Sequence, residues 1–220
     1  MNIPLSEKYD KIISLGCNCF IKFFLKHIEY EQETHFFDYI GCPMWSVHEL
    51  IKNNFSDVFN IEEYKNEYTL IGLPKIVTNS RYNLKFKHDL STTKKIEDQF
   101  SEFKEKYSRR IKKFQDLLMS SDNILFMRFE ETKENRIINQ KYNEQNKISE
   151  LDYIKLLSNF LRSSYPELKF KIIFISKTWF DNVDEENNII TIGEMNKNKI
   201  HDYKIAGRQI EELLINKLLL

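Results

Sequence analysis

The chain has 220 residues, 41% of them hydrophobic and 30% charged, a balance that fits a folded globular protein and excludes wholesale disorder. Lys plus Arg and Asp plus Glu both number 33, so there is no surplus of basic charge to neutralise a phosphate backbone, which excludes nucleic acid as a first partner. Three cysteines, Cys17, Cys19 and Cys42, form no disulfide framework; no leader-like segment opens the sequence and no run approaches the roughly 18–20 apolar residues of a membrane span, so a reducing, cytoplasmic setting is the expectation.

In chain order, KIISLG (Lys11–Gly16) is an apolar run closed by glycine, which predicts a buried strand with a sharp turn. FIKFFLKHI follows at once, with Phe20, Phe23, Phe24 and Ile28 at helical spacing. ETHFFDYI (Glu33–Ile40) reads as a second short strand, broken by GCP. MWSVHELIKNNF (Met44–Phe55) reads as an amphipathic helix with Ser46 and Glu49 in capping-box spacing. Between Asn60 and Leu90 the pattern is aromatic and turn-rich, as in hairpins. Ser91–Ser121 predicts a long helix buried through Ile96, Phe100, Phe103, Tyr107, Ile111, Phe114 and Leu118, with KYSRRIKK as its wet face.

NILFMRF (Asn123–Phe129), FKIIFIS (Phe170–Ser176) and NIITIG (Asn188–Gly193) predict three more strands. A helix over Ser149–Tyr165 separates the first two, and another ending in EELLINKLLL closes the sequence. Strands alternating with helices predict an α/β fold: a single three-layer domain over residues 1–220, with a mostly parallel sheet flanked by helices. In such sheets ligands sit beyond the carboxyl ends of the strands. Gly16–Cys19 lies there, after the first strand, and so do Arg128 and Glu130.

Cys19 is the candidate nucleophile, at the turn after the first strand. A thiol in the first turn of a helix meets unpaired N–H groups and the positive end of the dipole, both of which favour thiolate, and the same N–H groups can hold an oxyanion. Gly16 and Asn18 share that turn and count as substrate-binding positions. The alternative for Cys19 is a small buried residue, the common fate of free cysteines. Cys17 reads as structural. C-x-C also suits a soft metal, but no matching Cys/His pair follows, so neither metal nor cofactor is expected.

A cysteine nucleophile needs a base and a group to orient it. His27 and His48 lie on helices without distinguishing neighbours, and His35 precedes FFDY. His88 and His201 each precede an aspartate, just ahead of a helix. Adjacent side chains on an extended segment point to opposite faces, so Asp89 need not orient His88, and Asp38 is the other candidate acid. Arg128 suits bidentate binding of a substrate carboxylate or phosphate, or an ion pair with Glu130, Glu131 or another edge carboxylate.

LGCNC, then FFDYI, FKHDL, KYSRRIKKF and ILFMR, in that order and spacing, resemble the family of putative papain-like cysteine peptidases, a domain of unknown function. The resemblance spans about Tyr9 to Phe129. It falls on Gly16 and Cys19, Phe37 and Asp38, His88, Arg109 and Arg110, and Arg128; Phe36 and Tyr39 stand where the family tends to have proline and tryptophan. It implies a Cys–His hydrolase. A papain fold sets its cysteine against an antiparallel barrel, whereas the strand pattern of this chain predicts a parallel sheet.

The leading expectation is therefore an enzyme, a thiol peptidase or hydrolase acting on a peptide, glycopeptide or other acyl-bearing amide, isopeptide or ester. Cys19 attacks, His88 takes the proton, and Asp38 or Asp89 orients the imidazole. Two alternatives stay open: an esterase-like hydrolase or transferase with His201 as base, and a non-catalytic domain that recognises an anionic ligand through Arg128 and His88. A sugar-nucleotide transferase is disfavoured by the lack of any glycine-rich phosphate loop.

Overall fold

The computed structural model describes residues 9–17, 19–27, 33–68, 74–130, 148–176 and 182–192. The predicted apolar runs form strands β1 (Lys11–Ser14), β6 (Asn123–Phe129), β7 (Lys169–Ile175) and β9 (Ile189–Ile192). They run parallel in the order β1-β6-β7-β9, with β8 (Asn182–Asp184) antiparallel at the β9 edge. The register places Ile13 opposite Phe126 and Phe126 opposite Ile172.

These strands read as continuous apolar runs because both faces of the sheet are covered. Successive side chains alternate faces, and two separate cores result. Ile13, Leu15, Ile124, Phe126, Ile172 and Phe174 pack with α2 (Met44–Lys52), α3 (Ile96–Leu118) and α4 (Glu150–Ser164). Leu125, Met127, Phe129, Ile173 and Ile175 pack on the other face with Ile21, Phe24 and Leu25 of α1 (Phe20–His27). This is an α/β fold with a mostly parallel sheet and helices on both faces.

Between β1 and β6 the chain builds a second, antiparallel sheet in the order β2-β5-β4-β3, from β2 (Ile40–Gly41), β3 (Tyr64–Tyr68), β4 (Pro74–Asn79) and β5 (Leu84–Phe86). The hairpins expected over Asn60–Leu90 are β3, β4 and β5. Its Tyr64, Val77, Leu84 and Phe86 belong to the same core as one face of the parallel sheet.

Three local expectations change. Half of Glu33–Ile40, residues 36–39, is a turn, and only Ile40 enters a strand, because the Asp38 carboxylate folds back to accept from the His35 N–H at 2.9 Å. Ser46 is no cap: Pro43, which has no N–H to leave unpaired, already stands at the helix boundary, so Ser46 lies inside α2 and its hydroxyl donates to the Tyr82 carbonyl at 2.5 Å. The long helix begins at Ile96 and not at Ser91; the Ser91 N–H donates to the Gln99 side chain instead. A capping box does occur at α4, between Ser149 and Asp152. The expected C-terminal helix, with His201, lies outside the described residues. No helix among the described residues is long and apolar enough to cross a membrane.

Candidate functional site

At the carboxyl edge of the parallel sheet the ladder continues past β1, with the Leu15 N–H donating to the Met127 carbonyl at 2.8 Å. The chain then turns through two residues in the left-handed region, Gly16 at φ +78° and Cys17 at φ +80°. Gly16 is required twice over: a Cβ there would lie 2.5 Å from the Cys42 sulfur and 3.5 Å from the Ile40 carbonyl oxygen. Cys17 has no such exemption, so its backbone is strained beside the candidate thiol. Cys19 follows, immediately ahead of α1, and its carbonyl accepts from the Phe23 N–H at 3.1 Å. Asn18 lies outside the described residues.

All three cysteines are free and buried; Cys19 is 8% exposed, Cys17 and Cys42 only 2%. Cys17 packs in the α1-side core and Cys42 in the other. Burial pushes the Cys19 thiol up from its ordinary pKa, opposed by its own backbone N–H and by the charge of Lys87. The low thiol pKa expected from a helix N-terminus is thus not its resting state, because loss of hydration outweighs the local dipoles.

The turn after β1 rests on the antiparallel sheet. A Cβ on Gly41 would meet the Cys17 carbonyl oxygen at 3.5 Å, so β2 runs directly beside the turn. Strand β2 pairs with β5 through Ile40 opposite Phe86 and Gly41 opposite Lys85. Tyr39 immediately precedes β2 and His88 lies two residues past β5, and the ring of His88 meets Tyr39 edge-on at 6.2 Å and Phe23 at 6.5 Å, while Phe23 meets Tyr39 at 6.1 Å. Phe23 is one helical turn beyond Cys19, on the same side of α1. Burial raises the Tyr39 phenol, and charge on Asp38, Asp89 and Cys19 acts in the same direction, against Arg110. Cys19, Phe23, Tyr39, Lys87 and His88 therefore share one neighbourhood, and His88 is exposed within it.

The two candidate acids are already engaged. Asp38, 2% exposed, pairs with Lys22 of α1 at 3.2 Å besides accepting from the His35 N–H. Burial raises its pKa against the pull of Lys22. Asp89 accepts from Lys106, takes the Tyr107 hydroxyl at 2.8 Å and lies 3.6 Å from Arg110. Burial would raise the Asp89 carboxyl, but these donors and charges together hold it below the ordinary range. Among the described residues neither carboxylate hydrogen-bonds His88. Asp38 fixes the turn that carries Tyr39 through the His35 N–H, and Asp89 ties the segment after His88 to side chains of α3.

Arg128, wholly buried, donates to the Leu15 carbonyl at 3.0 Å, the Cys42 carbonyl at 3.0 Å and Glu150 at 2.7 Å. Of the two uses open to it from sequence, the geometry is that of the ion pair, with Glu150 as the carboxylate. It clamps the turn after β1 to the segment after β2 and to the start of α4. Glu130, at the same edge, accepts from the Ser176 hydroxyl at 2.9 Å.

Sequence reasoning assigned no site role to Phe23, Tyr39, Lys87 or Arg110, although the family resemblance touched Tyr39 and Arg110. Phe23 was visible as the i+4 neighbour of Cys19 and Lys87 as the neighbour of His88. Arg110 was hidden in a basic run whose other members face water: Arg109 pairs with Glu105 and Lys112 with Asp116 on the exposed face, whereas Arg110 is buried over the rings of Tyr107 at 4.6 Å and Tyr39 at 5.9 Å. Among the described residues no cluster of three or more His, Cys, Asp or Glu is arranged to hold a metal.

Searches among curated proteins and among solved structures gave no match. Residues 10–179, with the Cys19 turn and the His88 segment inside them, match the family described as "Putative papain-like cysteine peptidase (DUF1796)", and the chain belongs to that family.

Proposed function

We propose that the protein is a cysteine hydrolase in which Cys19 is the nucleophile and His88 the base. The observation that carries this reading is the bridge of Phe23 and Tyr39 between the Cys19 turn and the exposed imidazole of His88. The substrate is a peptide, glycopeptide or other molecule with an amide, isopeptide or ester bond.

Because burial keeps the resting thiol protonated, the proton has to leave as the sulfur attacks, and that is the task of a general base. In the proposed first step the Cys19 sulfur bonds to the acyl carbon while its proton passes to His88. The carbonyl oxygen becomes an oxyanion, met by the Cys19 N–H and those of the first turn of α1. His88 then gives the proton to the leaving amine or alcohol as the C–N or C–O bond breaks. Water, deprotonated by His88, attacks the thioester and releases the acid and the thiol. Asp38 acts as a positioning residue, since it fixes the turn that sets Tyr39 against the imidazole.

The strained backbone at Cys17 supports the reading, because such conformations persist where surrounding structure holds them and they gather at functional turns. The burial of Cys19 favours a second reading, a non-catalytic binding domain in which the thiol only packs.

Thiol labelling with iodoacetamide, followed by mass spectrometry, separates the two. The hydrolase reading expects Cys19 alone to label in the native chain, and His88→Ala to slow that labelling about tenfold or more near neutral pH, at the low end of what a general base contributes. Equal, slow labelling of Cys17, Cys19 and Cys42, limited by unfolding, would overturn it. Retained labelling in His88→Ala would leave Cys19 reactive but move the base elsewhere, with His201 the next residue to replace.

A further inference from the structure

The full chain is neutral, yet the surroundings of Cys19 are not. The two carboxylates there, Asp38 and Asp89, face Lys22, Lys106 and Arg110, and a fourth cation, Lys87, stands nearby. Asp38 is matched by Lys22 and Asp89 by Lys106, which leaves Arg110 and Lys87 in excess. Arg110 stacks over Tyr39, and its buried Nη1 makes no hydrogen bond, standing 3.6 Å from Asp89. Lys87 is exposed, next to His88 in sequence, and pairs with no carboxylate among the described residues. It lies two residues beyond Lys85, whose Cβ would stand 3.3 Å from a Cβ on Gly41, beside the Cys17 carbonyl oxygen, and its charge favours the Cys19 thiolate.

Arg110, which shares Asp89 with Lys106 and lies buried behind Tyr39, and Lys87 at the surface leave a surplus of positive charge that favours an anion beside the thiol. Arg128 is not the source of that field for a ligand, since its guanidinium is enclosed by Leu15, Cys42 and Glu150. Building on the hydrolase reading, we propose that the substrate carries a carboxylate beside the bond that is cut, received by Lys87 at the surface and supported by the charge of Arg110 behind Tyr39. An acyl group next to an acidic side chain or a free chain terminus has this chemistry. The exposed ring of Phe23, against Tyr39 and His88, supplies an apolar wall at the same place.

Iodoacetate and iodoacetamide test the charge preference directly, because they carry the same leaving group and differ in charge. The ratio of their labelling rates at Cys19 cancels the reactivity of the sulfur, which any substitution nearby also alters. In the full native chain at low salt the ratio is expected to exceed that of the same cysteine in denaturant by about fivefold, the effect of one unit charge about 4 Å away in water. Lys87→Gln should bring it most of the way back and Lys87→Arg should keep it; about 0.5 M salt should also reduce it, since exposed charges are screened. Lys87 is exposed, so these variants do not depend on refolding a core. A native ratio equal to the denatured one, or a raised ratio that Lys87→Gln leaves unmoved, overturns this inference while selective labelling of Cys19 leaves the hydrolase reading standing. Failure of both reagents to single out Cys19 overturns the two together.

Discussion

The floor under Cys19 and the rim around it are built on opposite terms. In the floor, Gly16, Cys42 and Arg128 are close-packed, out of water, and the arginine is met on every side by Leu15, Cys42 and Glu150. At the rim, Phe23 is 41% exposed, His88 and Lys87 face solvent, and the contacts between rings are edge-on. A floor with no donor to spare can hold a turn in a strained shape but has little to offer a ligand. A rim with unmatched charge and open rings contributes little to stability but can bind. The distinction predicts that floor substitutions act on folding and rim substitutions on reactivity.

The largest effect is expected at Arg128. Replacing it with methionine leaves the Glu150 carboxylate and two carbonyls without their donor, and removal of one partner of a buried ion pair costs about 3–5 kcal/mol. Urea unfolding should show the midpoint fall accordingly. An unchanged midpoint would mean that the clamp adds nothing to the fold and would dissolve the contrast between floor and rim. Gly16→Ala comes next, at about 2–4 kcal/mol, from a left-handed backbone and a Cβ forced against the Cys42 sulfur. The double replacement Gly16→Ala with Cys42→Ala should recover the crowding part of that loss and not the backbone part.

An effect spread over pH, with nothing lost near neutrality, tests the buried histidine beside Asp38. His35 is buried against Phe114, with its Nδ1 lacking a hydrogen bond, and burial followed by the charge of Lys22 depresses its pKa to about 4. Because the folded value lies below the unfolded value of about 6.5, the unfolded chain takes up the proton first. The contribution of His35 is fully present above pH 6.5 and is lost as the pH falls from there toward 4, by about 1.4 kcal/mol per pH unit. Asp38, whose pKa is raised, changes stability in the opposite sense as it protonates. The difference between the wild type and His35→Phe isolates the histidine: the variant should lack this slope between pH 6.5 and 4, and parallel stability curves would remove His35 from the acid response.

The parallel sheet was legible in the sequence because strands covered on both faces appear as unbroken apolar runs, as NILFMRF and FKIIFIS do. The turn that carries Cys19 was legible from glycine closing such a run. What decides the site was not. Strand β2 has two residues and β5 three, too short for any period to register, yet their pairing is what brings Tyr39 and His88 together. Likewise FFDY carries the apolar content of a strand, and the Asp38 carboxylate turning back to His35, with backbone bonds from the Asp38 N–H to His35 and the Ile40 N–H to Phe37, makes it a turn. Charge patterning identified KYSRRIKK as a helix face but could not say that Arg110 alone among its cations lies buried over aromatic rings. Local patterns record burial, while pairing between short distant segments leaves no periodic trace.

The smallest expected change in stability is also the sharpest test of the comparison. His88 is exposed and its described contacts are two edge-on rings, so His88→Ala should alter unfolding free energy by less than about 0.5 kcal/mol, as surface substitutions usually do. Phe23→Ala should cost more, about 1 kcal/mol, since its ring is 41% exposed and the rest packs on Tyr39 and His88. The same His88→Ala variant is the one expected to slow Cys19 labelling about tenfold or more near neutral pH. Measuring both quantities on one protein keeps the inference clean: a reactive site that loses its base without losing its fold changes only the second. If the two fell together, with lower stability matching lower labelling, His88 would belong to the floor, and the imidazole would be a packing residue whose removal disturbs the thiol at second hand.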